Sequence, residues 1–345
     1  MIDGHGDDRY RYGSKLKANF SSNIYSHADL SGLKEYLKAR MDVVGSYPEP
    51  EPYTLEKALA QCHGLQPQEV LATNGATQAI YLIAQAFAGS RTAVLQPTFT
   101  EYADACRMFG HRLQALYMLP AARDDYRLPE ELRMLWLCNP NNPTGKVLDV
   151  EYLEMLMQRN PQVLFVIDRS YEDFTLKLLP AVRHGVELEN VLMLHSMTKH
   201  YAIPGLRLGY VTGDGKLIDR LRARCMPWAV NALAIEAGHW LLRHGELCVR
   251  GTLKDYLAET ERFRKRLLCI GALEVWETDT HFMLARLRTG FASALKEWLM
   301  QEKGLLIRDA SNFEGLDKSY FRVATQDPEE NDMLADAINE WIHLC

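Results

Sequence analysis

The sequence lacks both the long apolar runs of a membrane protein and the basic stretches of a nucleic-acid-binding protein. Its uninterrupted apolar runs, such as residues 163–167, reach five or six residues, whereas about 20 are needed to span a bilayer. Lys and Arg total 39 against 45 Asp and Glu, a formal net charge of −6. The sequence has no long run of Lys and Arg that could bind along a nucleic-acid phosphate backbone. We therefore expect a soluble protein with neither a membrane nor a nucleic acid as partner.

Cysteine pairs at metal-binding spacing are also missing. The seven cysteines lie 21 to 87 residues apart, with no C-x-x-C pair. This spacing argues against a structural zinc site and against a disulfide framework, and favours buried, reduced thiols. The acidic N-terminus has no apolar segment of the secretory type, so the expected location is the cytoplasm.

Short apolar runs rich in β-branched residues alternate with longer amphipathic segments through the middle of the chain. This alternation predicts βαβ units and a mostly parallel sheet. Amphipathic segments at 77–88 and 149–158 are expected to cover the sheet faces. The expected strands are 92–96, 134–138, 163–168, 191–195 and 207–212.

From about residue 247 the pattern predicts a smaller α+β domain. Its expected elements are a helix at 252–269, strands near 281–286 and 320–324, and a final helix at 329–344. No Gly/Ser linker occurs, so the boundary is expected in a continuous helix near 230–250. The predicted parts are an N-terminal arm at 1–49 that joins the small domain, a large domain at 50–245 and a small domain at 246–345.

Two cationic residues, eight positions apart in the sequence, follow the strand predicted at 191–195. Lys199 lies three residues after Ser196, at the edge where open α/β sheets bind ligands. Arg207 is expected to open the next strand, so a second cation could enter the same pocket. A lysine beside other cations in a desolvated site has a lowered pKa and can attack an aldehyde. Taken alone, Lys199 would be interpreted as a solvated surface lysine.

Asp168 ends the apolar run at 163–167, so its carboxylate is expected at the carboxyl edge of a central strand. A buried carboxylate needs a partner, and a protonated pyridine nitrogen would be a suitable one. Tyr171 follows three residues later. A helix N-cap at Asp168 is the alternative interpretation.

Two turns could complete such a site. Segment 138–145 holds two prolines and a glycine after an apolar run, and within it Asn142 could donate its amide to a phenolate oxygen of a bound ring. The alternative for this segment is simply a tight loop. The small-residue turn at 74–77 precedes a predicted helix and could cradle a phosphate.

Five motifs follow one another along the chain: Asn74-Gly75-Ala76-Thr77, Asn142-Pro143-Thr144-Gly145, Asp168-x-x-Tyr171, Ser196-x-x-Lys199 and Arg207. The motifs and their order resemble those of the fold-type I pyridoxal-phosphate enzymes of the aminotransferase class I/II superfamily. Within the superfamily the chain resembles the L-threonine-O-3-phosphate decarboxylases of the cobalamin pathway, with histidinol-phosphate aminotransferases as near relatives. Segments 4–6, 19–24, 199–210, 226–232 and 315–324 carry that likeness. It implies a three-layer α/β fold with a mostly parallel central sheet in a large pyridoxal-phosphate-binding domain, plus a smaller α+β domain.

The resemblance also implies roles around the ring of pyridoxal 5'-phosphate. Lys199 would bind the cofactor covalently and later move protons, and Asp168 would pair with the pyridine nitrogen. Asn142 and Tyr171 would bond the 3-hydroxyl oxygen. Phe99 would stack on the ring.

A second group of residues would hold the cofactor phosphate. It comprises the backbone amides of Ala76 and Thr77 together with Ser196 and Arg207. Tyr47 resembles the tyrosine that reaches this phosphate from a partner subunit, which implies a homodimer with shared active sites.

A third group would bind the substrate. Arg322 matches the arginine that grips the substrate carboxylate, whereas Arg308, His5 and Asn23 match residues near the distal phosphate or carboxylate. Solvated positions at a domain edge are the alternative for these last three.

The resemblance implies decarboxylation of L-threonine O-3-phosphate to aminopropanol phosphate. An aminotransferase reaction that acts on histidinol phosphate or another amino acid is the alternative. A non-catalytic, cofactor-sensing domain of the kind fused to transcription regulators is the alternative from another class. We expect it least, because only about fifty residues precede the large domain and they include no basic helix pair.

Overall fold

A computed structural model describes residues 8–121 and 124–344, and these ranges contain three sheets. The strands of the described ranges are β1 (Ala18–Asn19), β2 (Val70–Thr73), β3 (Arg91–Leu95), β4 (Arg112–Leu116), β5 (Met134–Cys138), β6 (Leu164–Asp168), β7 (Val191–Ser196), β8 (Gly209–Gly213), β9 (Leu273–Val275), β10 (Phe282–Leu287), β11 (Leu305–Leu306), β12 (Arg308–Asp309) and β13 (Tyr320–Ala324).

Helices pack on these sheets and join their strands. The α-helices of the described ranges are α1 (Ser31–Lys38), α2 (Tyr53–His63), α3 (Gly75–Ala86), α4 (Glu101–Met108), α5 (Val150–Arg159), α6 (Val182–Glu187), α7 (Met197–His200), α8 (Gly215–Arg222), α9 (Ala232–His244), α10 (Leu253–Leu268), α11 (Ala292–Trp298) and α12 (Pro328–Leu344). A π-helical turn at Leu299–Lys303 continues α11.

The largest sheet has seven strands in the order β2-β8-β7-β6-β5-β3-β4. Strands β7, β6, β5, β3 and β4 run parallel to one another. Strand β8 runs antiparallel to both of its neighbours, β2 and β7. The predicted mostly parallel sheet is confirmed. Parallel strands require crossover connections, which the intervening helices supply.

Both faces of this sheet are buried. Along β5, Trp136 packs in a cluster with Ile83 of α3, whereas Leu137 packs in another cluster with Leu153 of α5. Successive side chains of a strand point to opposite faces, so an uninterrupted apolar strand needs helices on both sides. The result is the three-layer α/β fold that the sequence predicts.

A second core surrounds the four-stranded antiparallel sheet β12-β13-β10-β9. Phe20 belongs to this core and packs against Phe263 of α10 with ring centroids 6.1 Å apart. The adjacent strand β1 pairs in parallel with β11, so the chain near Ala18 lies beside Leu305. The exact division at residues 49 and 245 stays a prediction.

Most of the predicted strands lie within one or two residues of the observed bounds, and the difference that matters for the site is at Arg207. The strand expected at 207–212 begins at Gly209, so the prediction that Arg207 opens it is wrong. Arg207 instead has φ +58 after a 3-10 turn at Pro204–Leu206, and this left-handed conformation cannot continue into a strand. Strands β2 and β4 were not expected. No helix within the described ranges is both long and apolar enough to cross a membrane.

Candidate active site

The carboxyl ends of three neighbouring strands meet at one edge of the large sheet. Cys138 at the end of β5 pairs in register with Asp168 of β6, and Asp168 pairs with Leu194 of β7. The segments that follow these strands therefore converge, as expected for the ligand edge of an open α/β sheet. A cavity of about 240 Å³ opens there.

This cavity is lined by most of the residues that the sequence singled out. They are Asn23, Ala76, Thr77, Phe99, Asn142, Asp168, Tyr171, Ser196, Lys199, Arg207, Arg308 and Arg322. His5 lies outside the described residues. Tyr47 is absent from the cavity lining.

An anion cradle forms where α3 begins. Gly75 has φ +78, and a Cβ placed on it would lie 2.7 Å from the Arg207 Nη2 atom, so only glycine lets the guanidinium approach this closely. The Asn74 side chain makes no cap hydrogen bond to α3. First-turn amides of α3 and the cation therefore face the same space, an arrangement suited to phosphate.

Two further details hold the cradle in shape. A Cβ on Gly209 would lie 2.8 Å from the Ala76 backbone nitrogen, so glycine there lets β8 pass directly under the start of α3. The Arg207 Nη1 atom donates to the Pro204 carbonyl at 2.9 Å. Ser196 also lines the cavity, and its hydroxyl oxygen lies 2.7 Å from the Thr198 hydroxyl oxygen.

Lys199 lies on the short helix α7 directly after β7, and its side chain lines the cavity. Its carbonyl accepts a hydrogen bond from the Tyr25 backbone nitrogen at 2.9 Å, which ties α7 to the segment at 21–25. His281 is buried behind this region. Burial is the main cause that lowers the pKa of His281 to about 3, and the nearby charges of Arg322 and Lys199 contribute to the same effect.

The Asp168 carboxylate lies at the buried end of β6 with both oxygens hydrogen-bonded. Its Oδ1 accepts from the Ser170 backbone nitrogen at 2.8 Å, and its Oδ2 accepts from the Tyr102 hydroxyl at 2.6 Å. No α-helix begins at this position, so Asp168 is not a helix N-cap. It is a buried carboxylate on the floor of the cavity.

Arg322 of β13 is buried and held by two neutral oxygens. Its Nη1 donates to Asn142 Oδ1, and its Nη2 donates to the Ser21 carbonyl at 2.5 Å. The Nε atom makes no hydrogen bond with any described residue. Burial lowers the pKa of Arg322 to about 10, and the positive charge of Arg308 adds to this effect.

Arg308 of β12 is a second buried cation beside the first. Its Nη2 donates to Asn312 Oδ1 at 2.7 Å, and its guanidinium carbon lies 5.2 Å from the centroid of the Phe313 ring. Burial lowers its pKa to about 10 as well. Arg308 and Arg322 together give this end of the cavity a concentrated positive charge.

Tyr171 completes the wall between Asp168 and the arginines. Its ring meets Phe282 edge-on with centroids 4.8 Å apart. Burial raises the pKa of the phenol, although the Arg322 charge opposes that rise. Nearby, the Asn23 carbonyl lies 3.3 Å from His281 Nε2.

Sequence reasoning missed Tyr102, Asn312 and Phe313. Tyr102 follows Phe99 at i+3, a spacing that places two residues on one face where a helix begins, and this signal could have found it. Asn312 and Phe313 lie in the loop between β12 and β13. Their contacts with Arg308 depend on that loop folding back, which no local pattern reports.

Tyr47 lies on the surface, with a relative exposure of 85% for the residue. Its ring contacts that of Trp228 with centroids 5.3 Å apart, and the Trp228 backbone nitrogen donates to the Pro50 carbonyl at 2.8 Å. Val44 is also exposed in this region of the sequence. Two chain segments thus present exposed aromatic rings side by side.

Comparison with known proteins gives one consistent result. The model of the family "aminotransferase class I and II" matches residues 15–338. The threonine-phosphate decarboxylase of Salmonella typhimurium is 30% identical over 334 residues, which cover 93% of this chain and 90% of that protein. The histidinol-phosphate aminotransferase of Thermoanaerobacter pseudethanolicus is 29% identical over 345 residues, covering 96% and 93%. The crystal structure of L-threonine-O-3-phosphate decarboxylase from Porphyromonas gingivalis matches with a TM-score of 0.90 and 36% identity, over 95% of this chain and 100% of that one.

Proposed function

Because the chain belongs to the aminotransferase class I and II family, we propose that it decarboxylates L-threonine O-3-phosphate to aminopropanol phosphate. Like other members of this family it is a pyridoxal-phosphate enzyme. The observation that carries the choice of substrate is the pair of buried arginines, Arg308 and Arg322, in one cavity with Lys199.

The described residues fit the cofactor at its phosphate end. A phosphate in the cradle would accept hydrogen bonds from the amides of Ala76 and Thr77 and from Ser196, while Arg207 balances its charge. The close approach of Arg207 to Gly75 supports this fit, because a side chain at Gly75 would occupy that space.

The residues on the cavity floor fit the ring. Asp168 is a buried carboxylate that can pair with a protonated pyridine nitrogen, and Asn142 and Tyr171 are the candidates for its 3-hydroxyl oxygen. Phe99 would stack on the ring, and Lys199 would bind the cofactor covalently. When bound, the cofactor serves as the sink for the electron pair of the bond that breaks.

The two arginines fit a substrate with two anionic groups. Arg322 would hold the carboxylate in a planar, two-bond contact, and Arg308 with Asn23 and His5 would hold the phosphate. Threonine phosphate has both groups. Histidinol phosphate has a phosphate and no carboxylate, so it would leave one buried guanidinium without an anion.

The same contacts would select the bond that breaks. Only a bond perpendicular to the ring plane is weakened by the cofactor, so the protein chooses the reaction by fixing the substrate's rotation. A substrate held at its carboxylate by Arg322 and at its phosphate by Arg308 rotates less freely than one held at a single group. Lys199 Nζ is the group that would return a proton to the α-carbon after the carboxylate leaves.

The proposal includes a cytoplasmic homodimer with shared active sites. Tyr47 is exposed in its own subunit, so its proposed role is to bond the cofactor phosphate of the partner subunit. The exposed rings of Tyr47 and Trp228 would then be covered by the second copy. The described cysteines are all free thiols, which fits a reducing compartment.

A product assay tests the proposed function. Protein loaded with pyridoxal phosphate is given threonine phosphate, and CO₂ and aminopropanol phosphate are measured. In parallel it is given histidinol phosphate with 2-oxoglutarate, and glutamate is measured. We expect the first pair of products from the unchanged protein and neither from Lys199→Ala. Glutamate formation without CO₂ would replace the proposal with an aminotransferase.

A further inference from the structure

A tyrosine that the sequence motifs do not include lies directly against the Asp168 carboxylate. The Tyr102 hydroxyl donates to Asp168 Oδ2 at 2.6 Å, and both residues line the cavity. Tyr102 has no exposed area. The contact is therefore a short hydrogen bond to a carboxylate in a desolvated position, where such bonds are strongest.

The ring of Tyr102 has little freedom to point its hydroxyl elsewhere. It stacks on Trp136 of β5 with centroids 5.3 Å apart and planes 15° from parallel. On another side it meets Phe99 edge-on at 5.7 Å. Phe99 is also the residue placed to stack on the cofactor, so one packed aromatic group would position both the ring and its carboxylate partner.

The phenol can act toward this carboxylate only as a donor. Burial and the neighbouring charge of Asp168 raise the pKa of Tyr102 well above its ordinary value, so the hydroxyl keeps its proton. Two other titratable groups beside Asp168 are the Cys138 thiol on β5 and the Tyr171 phenol. Burial raises the pKa of each, so both stay uncharged.

We infer that Tyr102 is a positioning residue that fixes the orientation of the Asp168 carboxylate, so that the carboxylate faces the protonated pyridine nitrogen of the cofactor. This inference rests on the proposed function. Without the Tyr102 donor, the Asp168 carboxylate would rotate more freely and would pair less well with the protonated pyridine nitrogen. The nitrogen would then hold its proton less firmly, so the ring would be less positive.

The variant Tyr102→Phe removes one oxygen and keeps the stacked ring. Tyr81→Phe is a matched control, because the Tyr81 hydroxyl donates to Glu101 Oε2 at 2.7 Å and Tyr81 is absent from the cavity lining. Both variants lose a bond from a phenol to a carboxylate. Only the first loses the bond to Asp168.

Two measurements give readouts other than activity. The first is the dissociation constant of pyridoxal phosphate from each apoprotein, measured by titration. The second is the pH midpoint of the visible absorbance of the lysine-bound cofactor. We expect Tyr102→Phe to weaken cofactor binding by about tenfold. It should also raise the pH midpoint. The titrating group is the nitrogen that links Lys199 to the cofactor, and a less positive ring repels a proton on that nitrogen less strongly. Tyr81→Phe should change neither.

A double-mutant cycle separates positioning from simple packing. If Tyr102 acts through the carboxylate, Tyr102→Phe should have a much smaller effect in the Asp168→Asn background. An equal effect in both backgrounds would overturn the inference, as would unchanged affinity and midpoint in Tyr102→Phe. The proposed function fails separately, if the unchanged protein takes up no pyridoxal phosphate and develops no visible band.

Discussion

Arg308 and Arg322 are direct cross-strand partners in the antiparallel pair β12 and β13, and both line the same cavity. The hydrogen bonds described for them go to uncharged oxygens, on Asn142, Ser21, Asp309 and Asn312. Two like charges buried side by side repel each other, and the low local dielectric strengthens that repulsion. An anionic substrate would relieve it, so we attribute substrate selection to this pair.

The first prediction separates the roles of the two arginines. Arg308→Gln should raise KM for threonine phosphate by roughly a hundredfold, because it removes a charge-assisted bond to the phosphate. Its effect on unphosphorylated threonine should be small, and the visible spectrum of the bound cofactor should not change. Steady-state kinetics on both amino acids measure this.

Arg322→Lys provides the contrast. Lysine keeps the charge but cannot form the planar pair of contacts with a carboxylate, so kcat/KM should fall for threonine phosphate and threonine alike. Equal losses with and without the phosphate group in Arg308→Gln would refute the assignment of Arg308 to the phosphate.

The second prediction concerns the anion cradle. Gly75→Ala should weaken pyridoxal phosphate binding by about tenfold or more, since its Cβ would displace the Arg207 guanidinium. Gly64→Ala is the control: Gly64 also has a positive φ, +64, but a Cβ there meets nothing within 4 Å. Both variants incur backbone strain of about 1 kcal/mol. Only the first should lose affinity for the cofactor in apoprotein titrations; equal affinity in the two would show that Arg207 does not hold the phosphate.

The third prediction concerns stability and pH. Glu172 accepts a hydrogen bond from Arg169 Nε at 2.8 Å and lies 2.6 Å from His195 Nδ1. Burial alone would raise the pKa of Glu172, but His195 and Arg169 outweigh it and lower the pKa to about 2. A carboxylate with a depressed folded pKa stabilises the fold above its unfolded pKa, and that contribution is lost as the pH falls through the folded value.

Glu172→Gln should therefore reduce the free energy of unfolding by roughly 2–4 kcal/mol at pH 7. The difference from the unchanged protein should shrink as the pH falls from about 4.5 toward 2. Urea unfolding of the apoproteins at several pH values measures it. Glu187→Gln is the control, because Glu187 pairs with Arg183 at the surface and should contribute less than about 1 kcal/mol. A loss in Glu172→Gln that is independent of pH would mean that the charge of Glu172 is not the cause.

The fourth prediction tests the shared active site. Lys199→Ala and Tyr47→Ala should each be nearly inactive alone. After mixing under conditions that exchange subunits, activity should recover to roughly a quarter of the original, because half of the dimers are hybrids and each hybrid has one intact site. Sedimentation of the fully active protein as a monomer, or no recovery in hybrids shown to have formed, would contradict the role of Tyr47.

Much of the fold could be predicted because the central strands are uninterrupted apolar runs. Strand β5 has the predicted bounds, 134–138, since a strand buried on both faces leaves no ambiguity in its pattern. Strand β4 at the sheet edge is only partly buried and carries polar residues, so its pattern is weak. Arg207 could not be placed correctly, because no local sequence pattern reports the left-handed conformation that it adopts.

The candidate site could be predicted where its residues belong to local motifs. Asp168 ends one strand and Lys199 follows the next, and parallel strands bring such ends together. Tyr102 was missed because its role depends on a contact across 66 residues of sequence. Tyr47 is exposed in its own subunit, and its proposed role across a subunit interface leaves no local pattern in the sequence.

Turnover of threonine phosphate in D₂O tests the central claim most directly. If Lys199 returns a proton to the α-carbon after the carboxylate leaves, the product is aminopropanol phosphate with one deuterium on the carbon that bears the amine. An equal amount of CO₂ should accompany it, and mass spectrometry and NMR detect both features. Formation of a keto acid without CO₂ would contradict the claim, as would recovery of threonine phosphate with its carboxylate intact.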